Sequence, residues 1–261
     1  MSPLQRVFLF VGITFGVGGL FQYYIISKVG TVYSGVTAFM MFIPGIVAAA
    51  LSYFDDQDFR DMAWGIPAAR FFVPAYAVPA LSAVVLLLIL ILLGIGEPAF
   101  YGQAAFMKAV IFQPTLGVLI TALPVAGFEA GFRGYLHTQV LRARLSHPYL
   151  IVGLLVAIWH WPLLLFGDYG HSPLPMLETG LFTVAMVSFS IFLGWLRDSC
   201  YSFWPVVLAH ATHLTWIQDI YPRFYKAGSL DPYFGGQTGF VLALIYLLIA
   251  IYVVLYKSDP D

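Results

Sequence analysis

From Phe71 to Leu93 the chain carries no charged side chain. The hydrocarbon layer of a bilayer, about 30 Å thick, asks a helix for roughly 20 such residues at 1.5 Å each. No water reaches the backbone there, so every peptide N–H and C=O must be bonded inside the segment or in a closed barrel. A helix is the structure such a run predicts, and the pattern recurs along the chain. Of 261 residues, 61% are hydrophobic and only 10% charged, where a soluble domain carries about 25% charged residues. The sequence therefore predicts an integral membrane protein of the all-α class. It reads as a single transmembrane domain over 1–261, a polytopic bundle of about eight transmembrane helices with the lipid bilayer as solvent.

The gaps between charges set the spans. The first is Val7–Ser27, between Arg6 and Lys28, and the second lies within Thr31–Phe54. A polar loop, "DDQDFRD", precedes a third span within Phe71–Leu93, and Glu97 to Lys108 reads as a loop. The fourth runs from about Ala109 to about Arg144 and is longer than a bilayer requires. Pro148–Phe166 is the fifth, and "GDYGHSPLP" after it is a loop by its Gly and Pro content. Leu174–Leu196, Phe203–Ile217 and Thr238–Tyr256 complete the set. With eight spans both termini share a side. That side holds Arg6, Arg60, Arg70, Arg142, Arg144, Arg197 and Lys257, against Lys28, Lys108, Arg223 and Lys226 on the other. The excess of Lys and Arg predicts a cell-membrane protein with cytoplasmic termini.

The same composition excludes several classes. Net charge is −1 and no basic block stands out, so no nucleic-acid partner is expected. The one cysteine, Cys200, cannot form an intrachain disulfide and reads as an apolar filler. No cleavable signal peptide is expected, because the first apolar run is long enough to span and lacks a small-residue cleavage site. Lipidation motifs are also absent.

Ionisable side chains at membrane depth cost several kcal/mol and face the bundle interior. Glu129 and Arg133 stand in span four, His160 in span five, and His210 and His213 in span seven. Glu178, near the start of span six, is a weaker candidate at the interface. Glu129 and Arg133 are i and i+4, so they share a helix face and can pair. Taken alone the pair reads as an ion pair holding helices together. Each histidine alone reads as a hydrogen-bonded packing residue. Three helices that each place such a group in one apolar bundle point instead to a site. Gly127 and Gly131 form a small-xxx-small pair, read as a close helix approach; Gly134 belongs to the same glycine set.

Three segments carry a recognisable order: "FEAGFRGYL", "VAIWHWPLLL" and "GWLRDSCYSFWPVVLAHATHL". The chain resembles the CAAX-protease and bacteriocin-processing family of intramembrane proteases, which includes the Rce1-type prenyl proteases. That family carries Glu-Glu-x-x-x-Arg, Phe-x-x-x-His and His-x-x-x-Asn/Asp on three helices. The match falls on Glu129 and Arg133, on His160, and on His210 with its Trp204-Pro205 lead-in. It covers a core of about 109–216. Three positions depart from the pattern: Phe128 stands for the first glutamate, Val156 for phenylalanine, and Leu214 for asparagine or aspartate.

The resemblance implies an endopeptidase that hydrolyses peptide bonds in or near the membrane, with prenylated or transmembrane peptides as its partners. Its first glutamate and second-motif histidine activate a water; its third-motif histidine and amide stabilise the oxyanion. Peptide hydrolysis needs a base within reach of the water and donors aimed at the developing charge. Three readings stay open. In the first, Glu129, His160 and His210 act as catalytic residues, with Arg133 and His213 supporting, in a site weakened by Phe128 and Leu214. In the second, the chain is a catalytically silent scaffold or substrate-binding protein. In the third, Glu129, His160, His210 and His213 hold zinc, whose sites use such ligands in that number; the other two readings need no cofactor. Glu129, His160 and His210 are expected to converge in one cavity in the membrane half nearer the cytoplasm.

Overall fold

The computed structural model describes residues 1–29, 35–55, 62–170 and 172–256. The positions of Arg60 and Lys257, most of "DDQDFRD", and His171 of the loop before span six lie outside the described residues. Among the described residues six helices are long and apolar enough to cross a membrane. They are α1 (Pro3–Val29), α2 (Gly35–Phe54), α3 (Ala69–Leu92), α4 (Gln103–Arg142), α5 (Pro148–Leu165) and α6 (Pro175–Cys200). The last two expected spans are shorter. Trp204–Leu214 forms α7 and is carried on by a wider turn, Thr215–Ile220. Phe240–Tyr256 forms α8, of 17 residues.

The bundle is apolar outside and polar at selected points within. Leu88, Leu92, Leu119, Leu123 and Leu248 are all more than half exposed, while Glu129, Arg133, His210 and His213 are buried. That inversion follows from lipid as solvent: an exposed leucine costs nothing there, and an ionisable group must find partners inside. Helix α6 packs along both α5 and α8, and α7 packs against α3 and α4.

The reading of Glu97 to Lys108 as plain loop is corrected at both ends. Gly96–Pro98 pairs antiparallel with Tyr225–Ala227, Gly96 opposite Ala227 and Pro98 opposite Tyr225. Tyr225 lies so close to Gly96 that a Cβ there would come within 2.4 Å of its ring. Helix α4 then begins at Gln103, ahead of the expected start at Ala109. Lys108 had ended the apolar count, but an exposed lysine is tolerated in the first turns of a helix where it can reach the interface.

Small residues set the spacing around α4. A Cβ on Gly131 would meet the backbone carbon of Pro44 at 2.4 Å, and one on Gly127 would meet Phe42 Cα at 2.9 Å. On the facing helix, a Cβ on Gly45 would lie 2.5 Å from the Gly127 carbonyl oxygen. The small-xxx-small pair thus does what its spacing predicts, letting α2 lie directly on α4.

Candidate active site

The geometry starts with a change in helix pitch. From Val118 to Glu129, α4 is an ordinary α-helix; Ala130–Leu136 is a π-type turn, and the His137 N–H bonds back to the Phe132 carbonyl. Such turns widen the helix locally and recur at functional sites. Here the widened turn holds Arg133 beneath Glu129. Arg133 Nη1 donates to both Glu129 oxygens at 3.1 Å. Its Nη2 donates to Ser190 Oγ of α6 at 2.8 Å. Gly153 makes room for that contact, since a Cβ there would lie 2.8 Å from Ser190 Cβ.

Glu129 has a second partner. His210 Nδ1 lies 2.5 Å from Glu129 Oε1. The carboxylate is fully buried and accepts from a guanidinium and an imidazole at once. Charge-assisted bonds of this kind are short and strong. A carboxylate can only accept, so the shared hydrogen sits on His210 Nδ1 and the ring presents Nε2 elsewhere. The ion pair expected between Glu129 and Arg133 is present. The pairing of Glu129 with His160 is not: the histidine that Glu129 touches is His210.

His160 is fixed by its own helix. Its Nδ1 donates to the Val156 carbonyl at 2.8 Å, leaving Nε2 as an acceptor. Its ring lies against Phe182 at 5.2 Å and Tyr169 at 5.7 Å between centroids. Phe128 stands between the two histidines, 6.0 Å from the His160 ring and 5.5 Å from the His210 ring. Phe132, 4.6 Å away, and Trp159 hold its ring from behind.

His160, His210, Phe128 and Leu214 line one cavity of about 100 Å³, with Met40, Met41, Thr37, Trp159, Leu163, Tyr169 and Gln218. Glu129 is not among the lining side chains; it sits behind His210. The two departures at Phe128 and Leu214 therefore both face the cavity, and both present hydrocarbon to it. The third, Val156, is buried in the core and reaches the site only through its carbonyl.

Part of the cavity lining reaches toward one end of the bundle. Thr37 is near the start of α2, Tyr169 follows the end of α5, and Gln218 is near the end of the turn that extends α7. All three belong to the end of the bundle away from Pro3 of α1 and Tyr256 of α8. Glu129 lies deeper, level with Ser190 of α6.

His213 does not join the cavity. Its Nδ1 bonds to the Tyr246 hydroxyl of α8 at 2.7 Å, and its ring packs on Phe189. Glu178 accepts from Thr238 Oγ1 at 2.7 Å and from the Ser172 N–H at 3.2 Å. It stands in the first turn of α6, where a carboxylate suits the helix dipole. Among the described residues no three His, Cys, Asp or Glu side chains are close enough to share a metal ion. Of the four considered for zinc, Glu129 has both oxygens engaged and His213 faces another helix, so the set does not converge on one point.

Sequence reasoning missed Gln218, Tyr169 and Ser190. Gln218 had a signal: positions 210, 214 and 218 recur every fourth residue and so share a helix face. Ser190 and Tyr169 had none, one being a serine in an apolar helix and the other a loop residue. It also missed a second polar cluster. His137, Tyr149 and Arg197 all bond to Asp198, at 3.1, 2.9 and 2.8 Å, tying the end of α4 and the start of α5 to the end of α6.

The motif residues of the site lie inside a region of known kind. A family model described as type II CAAX prenyl endopeptidase, Rce1-like, matches residues 79–215, just over half of the chain. A comparison with curated proteins gives no match. The matched region holds Glu129, Arg133, His160, His210 and Leu214 and ends at Thr215. The chain belongs to the Rce1-like family of type II CAAX prenyl endopeptidases.

Proposed function

We propose that this member of the peptidase family binds prenylated or transmembrane peptide segments in the cavity between His160 and His210 without turning them over. The observation that carries the reading is the Phe128 ring, which lies against both imidazoles on the cavity wall, at the position where the resemblance puts the water-activating glutamate. A general base must lie within hydrogen-bond reach of the water, directly or through one further water. Phenylalanine offers no acceptor, and the neighbouring carboxylate of Glu129 is committed to Arg133 and His210. Leu214 likewise supplies no donor to a developing oxyanion, and the loss of one such donor costs about 10²–10³ in rate in a soluble protease. What the cavity keeps is shape, apolar walls and two ring nitrogens, which suits binding. No metal is invoked.

A second reading, a slow hydrolase, is favoured by one feature. Both Nε2 atoms are left by their Nδ1 bonds for the cavity side. His160 would take a proton from water, and a protonated His210, held by Glu129, would donate to the carbonyl oxygen.

The two separate in one assay. Purified protein in lipid nanodiscs is given a farnesylated fluorogenic peptide with a metal chelator present. Wild type is expected to bind the peptide and release no more product than His160→Ala. Phe128→Glu is expected to gain turnover, and Phe128→Glu with Leu214→Asn to gain more. Wild-type turnover abolished by His160→Ala would replace the first reading with the second. Absence of binding would remove both.

A further inference from the structure

A larger pocket, about 320 Å³, opens at the same end of the bundle as the histidine cavity. Tyr169 and Gln218 line both, so the two spaces adjoin. Tyr221 and Tyr225 form one wall, their rings 5.5 Å apart. Burial raises both hydroxyls above the ordinary tyrosine range, so the wall is neutral. The loop through Gly235, Gly236 and Gln237 forms the opposite wall, and the Gly236 N–H donates to the Tyr221 hydroxyl at 3.1 Å.

Between the walls stand two amides. Gln218 Nε2 donates to Gln237 Oε1 at 2.9 Å. Gln237 is 6% exposed, and its Nε2 has no hydrogen-bond partner among the described residues. A buried donor left unpaired is costly, so such groups in folded proteins meet an acceptor from water or from a ligand. The paired glutamines present a donor, Gln237 Nε2, beside an acceptor, Gln218 Oε1. A peptide group offers the complementary pair, a C=O and an N–H.

We infer that this pocket is a docking site for the backbone of an extended peptide segment, continuous with the ligand seated in the histidine cavity. The peptide C=O accepts from Gln237 Nε2, its N–H donates to Gln218 Oε1, and an adjoining side chain lies on Tyr221 and Tyr225. The inference rests on the peptide-binding reading above and adds where the chain of the ligand leaves the bundle, past Tyr169 toward the end away from the termini.

The test uses the full chain in nanodiscs and two probes: a short fluorescein-labelled peptide ending in a farnesylated cysteine, and a fluorescein-labelled farnesyl group with no peptide. Loss of one well-made hydrogen bond corresponds to about a five- to tenfold change in affinity. Gln237→Met is expected to weaken the peptide probe by that factor and leave the farnesyl probe unchanged. A second variant leaves the interior intact. Ala227 lines the pocket and is exposed; Ala227→Cys in a Cys200→Ser background, capped with a bulky maleimide, is expected to block the peptide probe alone. Peptide binding unaffected by both changes would overturn the docking pocket and leave the function reading standing. Equal weakening of both probes by the capped cysteine would also overturn it, since the pocket would then not be selective for peptide. Failure of wild type to bind either probe would overturn both proposals.

Discussion

Glu129 holds two groups in place that would otherwise be unsatisfied inside a lipid-solvated bundle. Arg133 has its guanidinium against both carboxylate oxygens, and His210 has its Nδ1 against one of them. Removing the carboxylate leaves a buried cation without its countercharge, and breaking a buried pair in this way costs about 3–5 kcal/mol. Glu129→Ala is therefore expected to lower thermal stability in detergent markedly. Arg133→Met in that background removes the stranded charge, and the double variant is expected to recover part of the loss. Recovery stays incomplete because His210 Nδ1 still lacks its acceptor and Ser190 loses a donor. A double variant no more stable than Glu129→Ala would mean that the ion pair contributes no coupling. The same residue explains what persists when the chemistry is weakened. Glu129 and Arg133 brace α4 against α6 and α7 whether or not a peptide is cut, whereas Phe128 both faces the cavity and packs into the core on Phe132 and Trp159.

Helix α4 can sit close to α2 only because its contact face is glycine. The Pro44 backbone is the nearest neighbour of a Cβ at Gly131, at 2.4 Å, and a backbone cannot rotate aside as a flexible side chain can. Gly131→Val is expected to force the helices apart and to cost at least the ~1–3 kcal/mol typical of overpacking, read as a lower melting temperature. The Glu129 to His210 contact, which depends on where α4 sits, should loosen with it. Gly180→Ala on α6 is the control: nothing lies within 4 Å of a Cβ there, and alanine favours helix over glycine by about 1 kcal/mol. Equal melting of the two variants would show that the α2–α4 approach is not close. Elements of this kind divide by how local their causes are. The positions of α3, α5 and α6 were legible because each is a long apolar run with charges only near its ends, and lipid reads only that. The Gly127 and Gly131 contact was legible from spacing. The π-type turn over Ala130–Leu136 was not, since nothing in "AGFRGYL" distinguishes it from an ordinary helix. The choice of His210 over His160 as the partner of Glu129 depends on helix rotation, which a sequence does not fix when the moments are as weak as an all-apolar helix makes them.

At the scale of the molecule, the question is which compartment the cavity faces. Both the histidine cavity and the glutamine pocket open at the end formed by the start of α2, the segment after α5 and the segment between α7 and α8. Pro3 of α1 and Tyr256 of α8 lie at the other end, where Arg6 bonds to Asp55. The bias of Lys and Arg toward the terminal side, seven against four by sequence, favours cytoplasmic termini. We propose eight crossings in that orientation, with α7 and its extension and α8 as short spans at about 1.5 Å per residue over a bilayer that thins or tilts them to fit. A ligand would then enter from the non-cytoplasmic side or laterally from the membrane. Reporter fusions after Asp261 and within the segment around Ser172 are expected to report opposite sides, the first cytoplasmic. A membrane-impermeant maleimide should label Ala227→Cys in intact cells. Fusions reporting the same side would break the eight-crossing model. Opposite sides with the C-terminus outside would keep the bundle and reverse its insertion, and the peptide docking at Gln218 and Gln237 would then draw on cytoplasmic chains.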